Sequence, residues 1–300
     1  GAAGAQHFCP SRGGVNVGGG LGAHASSCEG GGTCIGLAVL PAYLICVEQM
    51  SIRSCPAVIP LESVDSTNSE LIRLCTSGMV PAWTVVVAGE QTAGRGRLDR
   101  TWHSEAGAGL WFSVLVDLVG CDSPTWLPLV AGLAVFEACT KLGVEVELKW
   151  PNDITASGAK LGGILIESAG IPGQWVVGIG INVVSSHFPN SVSLSDLVSP
   201  TPKVAEVLSE VFGALHRLVT GWRNTHWSTA LISRHYLGVC SSIGAQLTVN
   251  RAGEPAFSAV GVGIDPDGHL VITRPGQESE ILVAADVVHA TIEPCTPKNS

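Results

Sequence analysis

The chain has 300 residues, a formal net charge of −9 and 46% hydrophobic residues. This is too apolar for a disordered chain, and the acidic balance argues against general affinity for DNA, which rests on neutralising phosphates. No uninterrupted run of about 18 apolar residues occurs, so no membrane span is expected.

Residues 1–55 are rich in Gly, Ala, Ser and Cys, with few charges and little periodicity. Such a segment lacks the patterned apolar face that offsets the entropy of ordering. It is expected to be a disordered, low-complexity extension, with Met50 a candidate internal start and no helix-turn-helix pattern. The apolar stretch 35–47 is interrupted by Pro41, has no basic region before it and lies too far from the start for a signal peptide. Ten scattered cysteines, without a CxxC pair or a zinc-ligand spacing, predict reduced thiols and a cytoplasmic location rather than a disulfide framework.

Globular patterning begins at Val58. Residues 58–64 predict a strand, and Asp65-Ser66-Thr67-Asn68 offers N-cap chemistry for a helix through about Thr76. Residues 84–88 read as a β-branched strand and 110–118 as an apolar one. Residues 124–142 have helical spacing, with Leu129, Leu133, Phe136 and Cys139 on one face, and Gly143 fits the stop. Residues 144–150 alternate as a strand that runs into a Pro151-Asn152-Asp153 turn. A turn and strand over 160–167 and a strand over 174–184 follow. Residues 204–227 predict a long amphipathic helix with a break near Gly221. Beyond Cys240 the texture changes to short strands at 245–249, 256–264, 270–273 and 280–283, with turns such as Asp267-Gly268, which suggests a small β-barrel.

Five segments carry chemistry. The stretch from Gly89 to Trp102 alternates glycine with arginine and closes on a tryptophan. Arginine brings a permanent charge and a fork of donors suited to phosphate or carboxylate, and a tryptophan face can stack on a base. Taken alone it reads equally as a solvated or RNA-contacting loop. Ser66-Thr67-Asn68 alone reads as helix capping. Lys149-Trp150-Pro151-Asn152-Asp153 puts a charge at a strand end and then a tightly specified turn. Lys160-Leu161-Gly162-Gly163 permits close backbone approach, for packing or for a ligand. Gly178-Ile179-Gly180-Ile181-Asn182 lacks the third glycine and the helix of a dinucleotide fingerprint. Neither a Walker A sequence nor a GxSxG elbow occurs.

In this order and spacing the five segments resemble the biotin protein ligase family, over roughly residues 60–290. The resemblance implies an α+β fold: a mixed sheet with flanking helices, like class II aminoacyl-tRNA synthetases, and a small C-terminal SH3-like β-barrel. It implies a catalytic domain over 56–237, the barrel over 238–292 and a tail over 293–300. It implies a ligase that makes biotinyl-5′-AMP from biotin and ATP with Mg²⁺, then biotinylates a lysine of a biotin carboxyl carrier domain. No repressor function, DNA or membrane partner is expected, and a homodimer stays open.

By position, Lys149, Arg95 and Arg97 are the expected catalytic residues. Ser66, Thr67, Asn68, Gln91, Arg95, Gly96, Arg97, Lys149, Gly162 and Gly163 are expected around biotin. Arg97, Arg100, Trp102, Lys149, Asn152 and Asn182 are expected around the adenylate, with no fixed protein ligands for the metal. Asp99 departs from the glycine many members carry there, which bears on loop dynamics. A lipoate or octanoate ligase, a nucleic-acid-binding module and a protein that binds biotin without ligating it are the competing readings.

Overall fold

A computed structural model describes residues 56–78, 80–98, 100–186, 188–251, 253–283 and, through the backbone, 286–289. All belong to the unit Val39–Ser300. The extension expected over 1–55, the tail over 293–300 and Asp99 lie outside the described residues.

The first sheet is built from β1 (Val58–Val64), β2 (Val85–Gln91), β3 (Gly109–Asp117), β4 (Glu147–Lys149), β5 (Asp153–Ala156), β6 (Ala159–Ser168) and β7 (Gln174–Asn182). Helix α1 (Thr67–Ser77) joins β1 to β2, and α2 (Leu127–Lys141) follows β3. The one-turn α3 (Leu194–Leu197), then α4 (Val204–Asn224) and α5 (Ala230–Val239), follow β7. The strand order is β1-β2-β3-β7-β6-β5-β4. Among the described strands only β1 and β2 pair in parallel, because a helical crossover separates them whereas the others meet by turns or returns. Five further strands, β8 (Gln246–Asn250), β9 (Phe257–Ile264), β10 (Leu270–Thr273), β11 (Ser279–Leu282) and β12 (Asp286–His289), make a second, antiparallel sheet in the order β11-β10-β9-β8-β12. The fold is therefore the expected mixed sheet with helices plus a small C-terminal β module.

The sheet is two-sided because side chains alternate along each strand. Val85, Val87, Phe112, Val114, Val177, Ile179 and Ile181 point to one face and share a core with α2 and α4. On the other face, Leu71 and Cys75 of α1 pack on Val86, Leu115 and Val176. Burying the Leu71 side chain contributes about 1.5–3 kcal/mol towards holding α1 there. The described core residues of the C-terminal module, Leu247, Val249, Leu270 and Ile272 among them, join the α2 cluster. Two indole N–H groups fasten it: Trp126 Nε1 donates to Pro266 O (2.7 Å) and Trp150 Nε1 to Gly268 O (3.1 Å).

Several expectations need correction. The strand read over 144–150 is paired only over Glu147–Lys149, since β5 offers it four residues. The alternation was real all the same: Val144, Val146, Leu148 and Trp150 are buried. The break near Gly221 is absent, and α4 runs unbroken to Asn224, held by buried Val219 and Trp222. Residues 124–126 form a 3₁₀ turn ahead of α2. Strands β5 and β12 and helix α5 were not foreseen. Ser66 is the N-cap of α1, but its side chain makes no capping hydrogen bond. The described cysteines Cys75, Cys121, Cys139 and Cys240 are free thiols.

Candidate active site

On the α1 face, register across β3, β7 and β6 sets Ser113, Gly178 and Leu165 in one row and Trp111, Gly180 and Gly163 in the next. Three glycines and a serine leave this part of the face unfilled. The result is a cavity with an empty volume of about 1080 Å³, open mouth included. A Cβ on Gly178 would overlap the Asn68 amide, and one on Gly180 would sit 2.8 Å from the Trp102 ring. These glycines are needed because other side chains occupy the space above them.

One end of the cavity is lined by neutral polar groups. Ser66, Thr67 and Asn68 are 3–4% exposed where β1 turns into α1. Thr67 donates from its backbone N (2.9 Å) and from Oγ1 (3.2 Å) to Gln91 Oε1, and Gln91 Nε2 donates to Ser104 Oγ (2.7 Å). Ser113 Oγ lies 2.7 Å from Thr67 Oγ1 and 2.6 Å from Asn68 Oδ1. Asn68 Nδ2 donates to Leu165 O (3.2 Å) and Glu167 Oε2 (2.7 Å). Ser113 went unread in the sequence. It is one serine inside an apolar strand, and only register shows its neighbours.

The Arg/Gly segment is a narrow ribbon rather than an open loop. Trp102 N donates to Gly94 O (2.8 Å), Gly96 N to Arg100 O (2.7 Å), and Arg95 and Thr101 form an antiparallel bridge. Gly94 is required there, since a Cβ would collide with Trp102 O. Trp102 lies over Gly180 and Gly163 and meets Trp111 edge-on, with centroids 6.1 Å apart. Its Nε1 is buried with no partner among the described residues.

The other end is cationic. Trp150 locks the Lys149–Asp153 turn in place: its backbone N donates to Ser242 Oγ (3.1 Å) and its indole to Gly268 O. Asn152 Nδ2 donates to Ile164 O (2.9 Å), and Arg97 Nη1 reaches Asn152 Oδ1 (3.4 Å). Asp153 pairs with Lys160 at 2.6 Å, and Lys160 Nζ stands 5.3 Å from the Trp102 ring centroid. Arg95 pairs with Glu167 at 2.9 Å. Lys149 and Arg97 have no ion-pair partner among the described residues. Burial pushes the pKa of both down, against the pull of Asp153. Desolvated cations without counter-ions favour an arriving anion.

The cavity thus collects Ser66, Thr67, Asn68, Gln91, Arg95, Gly96, Arg97, Arg100, Trp102, Lys149, Asn152 and Gly163, with Lys160 and Asp153 besides. It does not collect Gly162 or Asn182. A Cβ on Gly162 would meet Gly180 O at 2.6 Å, so that glycine serves the contact between β6 and β7. Asn182 Nδ2 donates to Val192 O (3.1 Å) and Lys160 O (3.4 Å), holding the chain after β7. The cluster of Asp265, Asp267 and His269 could approach a metal ion, but it sits in the turn between β9 and β10 and lines no part of this cavity.

The trough thus joins a cationic, partly desolvated end to a neutral, hydrogen-bonding one, an arrangement suited to a ligand that is anionic at one end and polar but uncharged at the other. Residues 61–182 match the biotin/lipoate A/B protein ligase family. The chain is 34% identical over 235 residues to a biotin–[acetyl-CoA-carboxylase] ligase of Mycobacterium tuberculosis, covering 75% of this chain and 85% of the relative. It is 31% identical to the enzyme of that name from Paracoccus denitrificans, covering 76% and 98%. The biotin protein ligase from Aquifex aeolicus in complex with biotin and ATP superposes with a TM-score of 0.67 at 27% identity, covering 78% of this chain and all of that one. The chain belongs to the biotin protein ligase family.

Proposed function

We propose that this chain is an ATP-dependent biotin protein ligase. The biotin carboxylate attacks the α-phosphorus of ATP, which arrives with Mg²⁺, and pyrophosphate leaves. An acceptor lysine amine then attacks the acyl carbonyl of biotinyl-5′-AMP, and AMP leaves with its bonding electron pair. The observation that carries this reading is the division of the cavity. A neutral hydrogen-bonding end at Thr67, Asn68 and Gln91 suits a ureido ring. The opposite end keeps two half-buried cations, Lys149 and Arg97, with no ion-pair partner among the described residues.

Bringing a carboxylate onto a phosphate joins two anions, so fixed positive groups must offset both the repulsion and the charge growing in the transition state. Lys149 bridges the carboxylate and the α-phosphate. Arg97 and Arg100 face the phosphates, and Trp102 covers the adenine after leaving its seat on Gly180. Arg95 and Gly96 belong to the ribbon that closes over the adenylate and keeps water from the anhydride. Gly162 and Asn182 support the site through β6 and β7.

Residues 56–237 form the catalytic unit and 238–292 the C-terminal module, which braces the Lys149–Asp153 turn through Trp150. The acceptor is a lysine of a biotin carboxyl carrier domain, met in the cytoplasm without a DNA or membrane partner, and a homodimer fits this reading. The test is direct. With biotin, MgATP and a carrier domain, one carrier lysine should gain the biotinyl mass, and a carrier left unmodified by the folded protein would overturn the proposal.

A further inference from the structure

Glu167 has no place in the chemistry described so far, yet it bonds to two residues that line the cavity, Asn68 and Arg95. It lies near the end of β6 with its side chain 27% exposed. One oxygen, Oε2, accepts from Arg95 Nη2 of the ribbon (2.9 Å) and from Asn68 Nδ2 of α1 (2.7 Å). The other end of the same network is also on the ribbon side. From Asn68 it passes to Ser113, Thr67 and Gln91, and Gln91 reaches Ser104, just beyond Trp102. The ribbon is therefore tied at its start through Arg95 and at its end through Ser104, and Asn68 belongs to the tie.

Asn68 also has no free proton. An amide NH₂ has two protons, and these go to Leu165 O and Glu167 Oε2, while Oδ1 faces Ser113. A ligand acceptor that takes a proton from Asn68 must displace one of these partners. Leu165 O is a backbone atom fixed in β6, whereas Glu167 is a side chain that can turn.

We infer that Glu167 is a positioning residue. It holds the Arg95 arm of the ribbon in its resting place and makes release of that arm conditional on what Asn68 binds. An occupant that accepts a proton from Asn68 Nδ2 takes a hydrogen bond from Glu167, loosens the carboxylate and frees Arg95 to move with the ribbon over the filled cavity. The identity of the occupant rests on the biotin reading above; the tie itself does not.

The test is chymotryptic cleavage after Leu98, which sits on the ribbon 61% exposed, with and without saturating biotin. Glu167→Gln keeps an acceptor for Asn68 and removes the ion pair with Arg95. Without ligand it should be cut about two- to fivefold faster than the parent, the range that loss of a half-exposed pair allows. With biotin the two proteins should be cut at the same rate. The Arg95→Gln/Glu167→Gln double variant should be cut no faster than Arg95→Gln alone, which separates a tie to Arg95 from a general loosening of β6. Parent-like cleavage of Glu167→Gln without ligand, or additive effects in the double variant, would overturn the inference. Should Glu167→Gln fail to fold, Arg95→Gln asks the same question from the exposed end, and parent-like cleavage there overturns it equally. A parent that binds biotin yet is cut at an unchanged rate would overturn the conditional release, whereas a parent that binds no biotin counts against the biotin reading and leaves the ligand-free comparison to decide the tie.

Discussion

On the α2 and α4 face of the sheet, β3 and β7 present Phe112, Val114, Val177, Ile179 and Ile181, each at most 2% exposed. On the α1 face, the intervening positions of the same strands include Ser113, Gly178 and Gly180. One alternation makes a packed core on one side and an unfilled trough on the other. A site does not need its own domain here. It needs small residues at register-matched positions, and a ribbon and a helix end to line what they leave empty.

The two faces differ most at the cationic end of the trough. Lys149→Ala should lower the rate of adenylate formation by about 10²–10³-fold, as removal of a transition-state donor does, with little effect on stability. A change confined to the KM for biotin would make Lys149 a simple binding group. Neighbouring residues on the two faces give the sharpest contrast. Gly180→Val should displace Trp102 and cost about 10²-fold in rate, the scale of a misplacement near 1 Å. Ile181→Ala should instead cost about 2–5 kcal/mol in unfolding free energy, read from denaturant midpoints. Equal effects of the two on stability would remove the distinction between the faces.

Arg97→Ala keeps the trough but weakens the ribbon's hold on the turn at Asn152. It should release adenylate faster than the parent, measured by trapping biotinyl-5′-AMP in solution with a reactive amine; retention as firm as the parent's would remove the ribbon's role as a lid. The smallest expected effect is on pH dependence. Burial disfavours the charged form of Lys149, so its amine loses the proton at a lower pH than an ordinary lysine. Activity that needs the ammonium is then present at neutral pH and falls as pH rises through that lowered value. Lys149→Arg, which keeps its charge throughout, should move this alkaline limb of kcat/KM upwards.

Local signals were legible in the sequence and long-range ones were not. Strand β1 fell where it was expected, and α1 ended within a residue of its reading, because the pattern at 58–77 depends on neighbours in the chain. The short β5 and β12 carry too few residues for a period to show. Ser66-Thr67-Asn68 looked like a cap, but its side chains turn to Gln91, Ser113 and Glu167, partners 24 to 99 residues away. Motif order brought most of the cavity residues into view. It could not reveal Ser113 or Glu167, whose roles come from register across β3, β7 and β6. Nor could it separate Gly163, in the lining, from Gly162, which serves the strand contact.

The central claim is that this trough activates a carboxylate on ATP, and biotin-dependent exchange of labelled pyrophosphate into ATP, without any carrier, tests it most directly. The account predicts exchange with biotin, none with lipoate, and loss of exchange in Lys149→Ala. Exchange with lipoate alone, or no exchange from a folded sample with either acid, would contradict it.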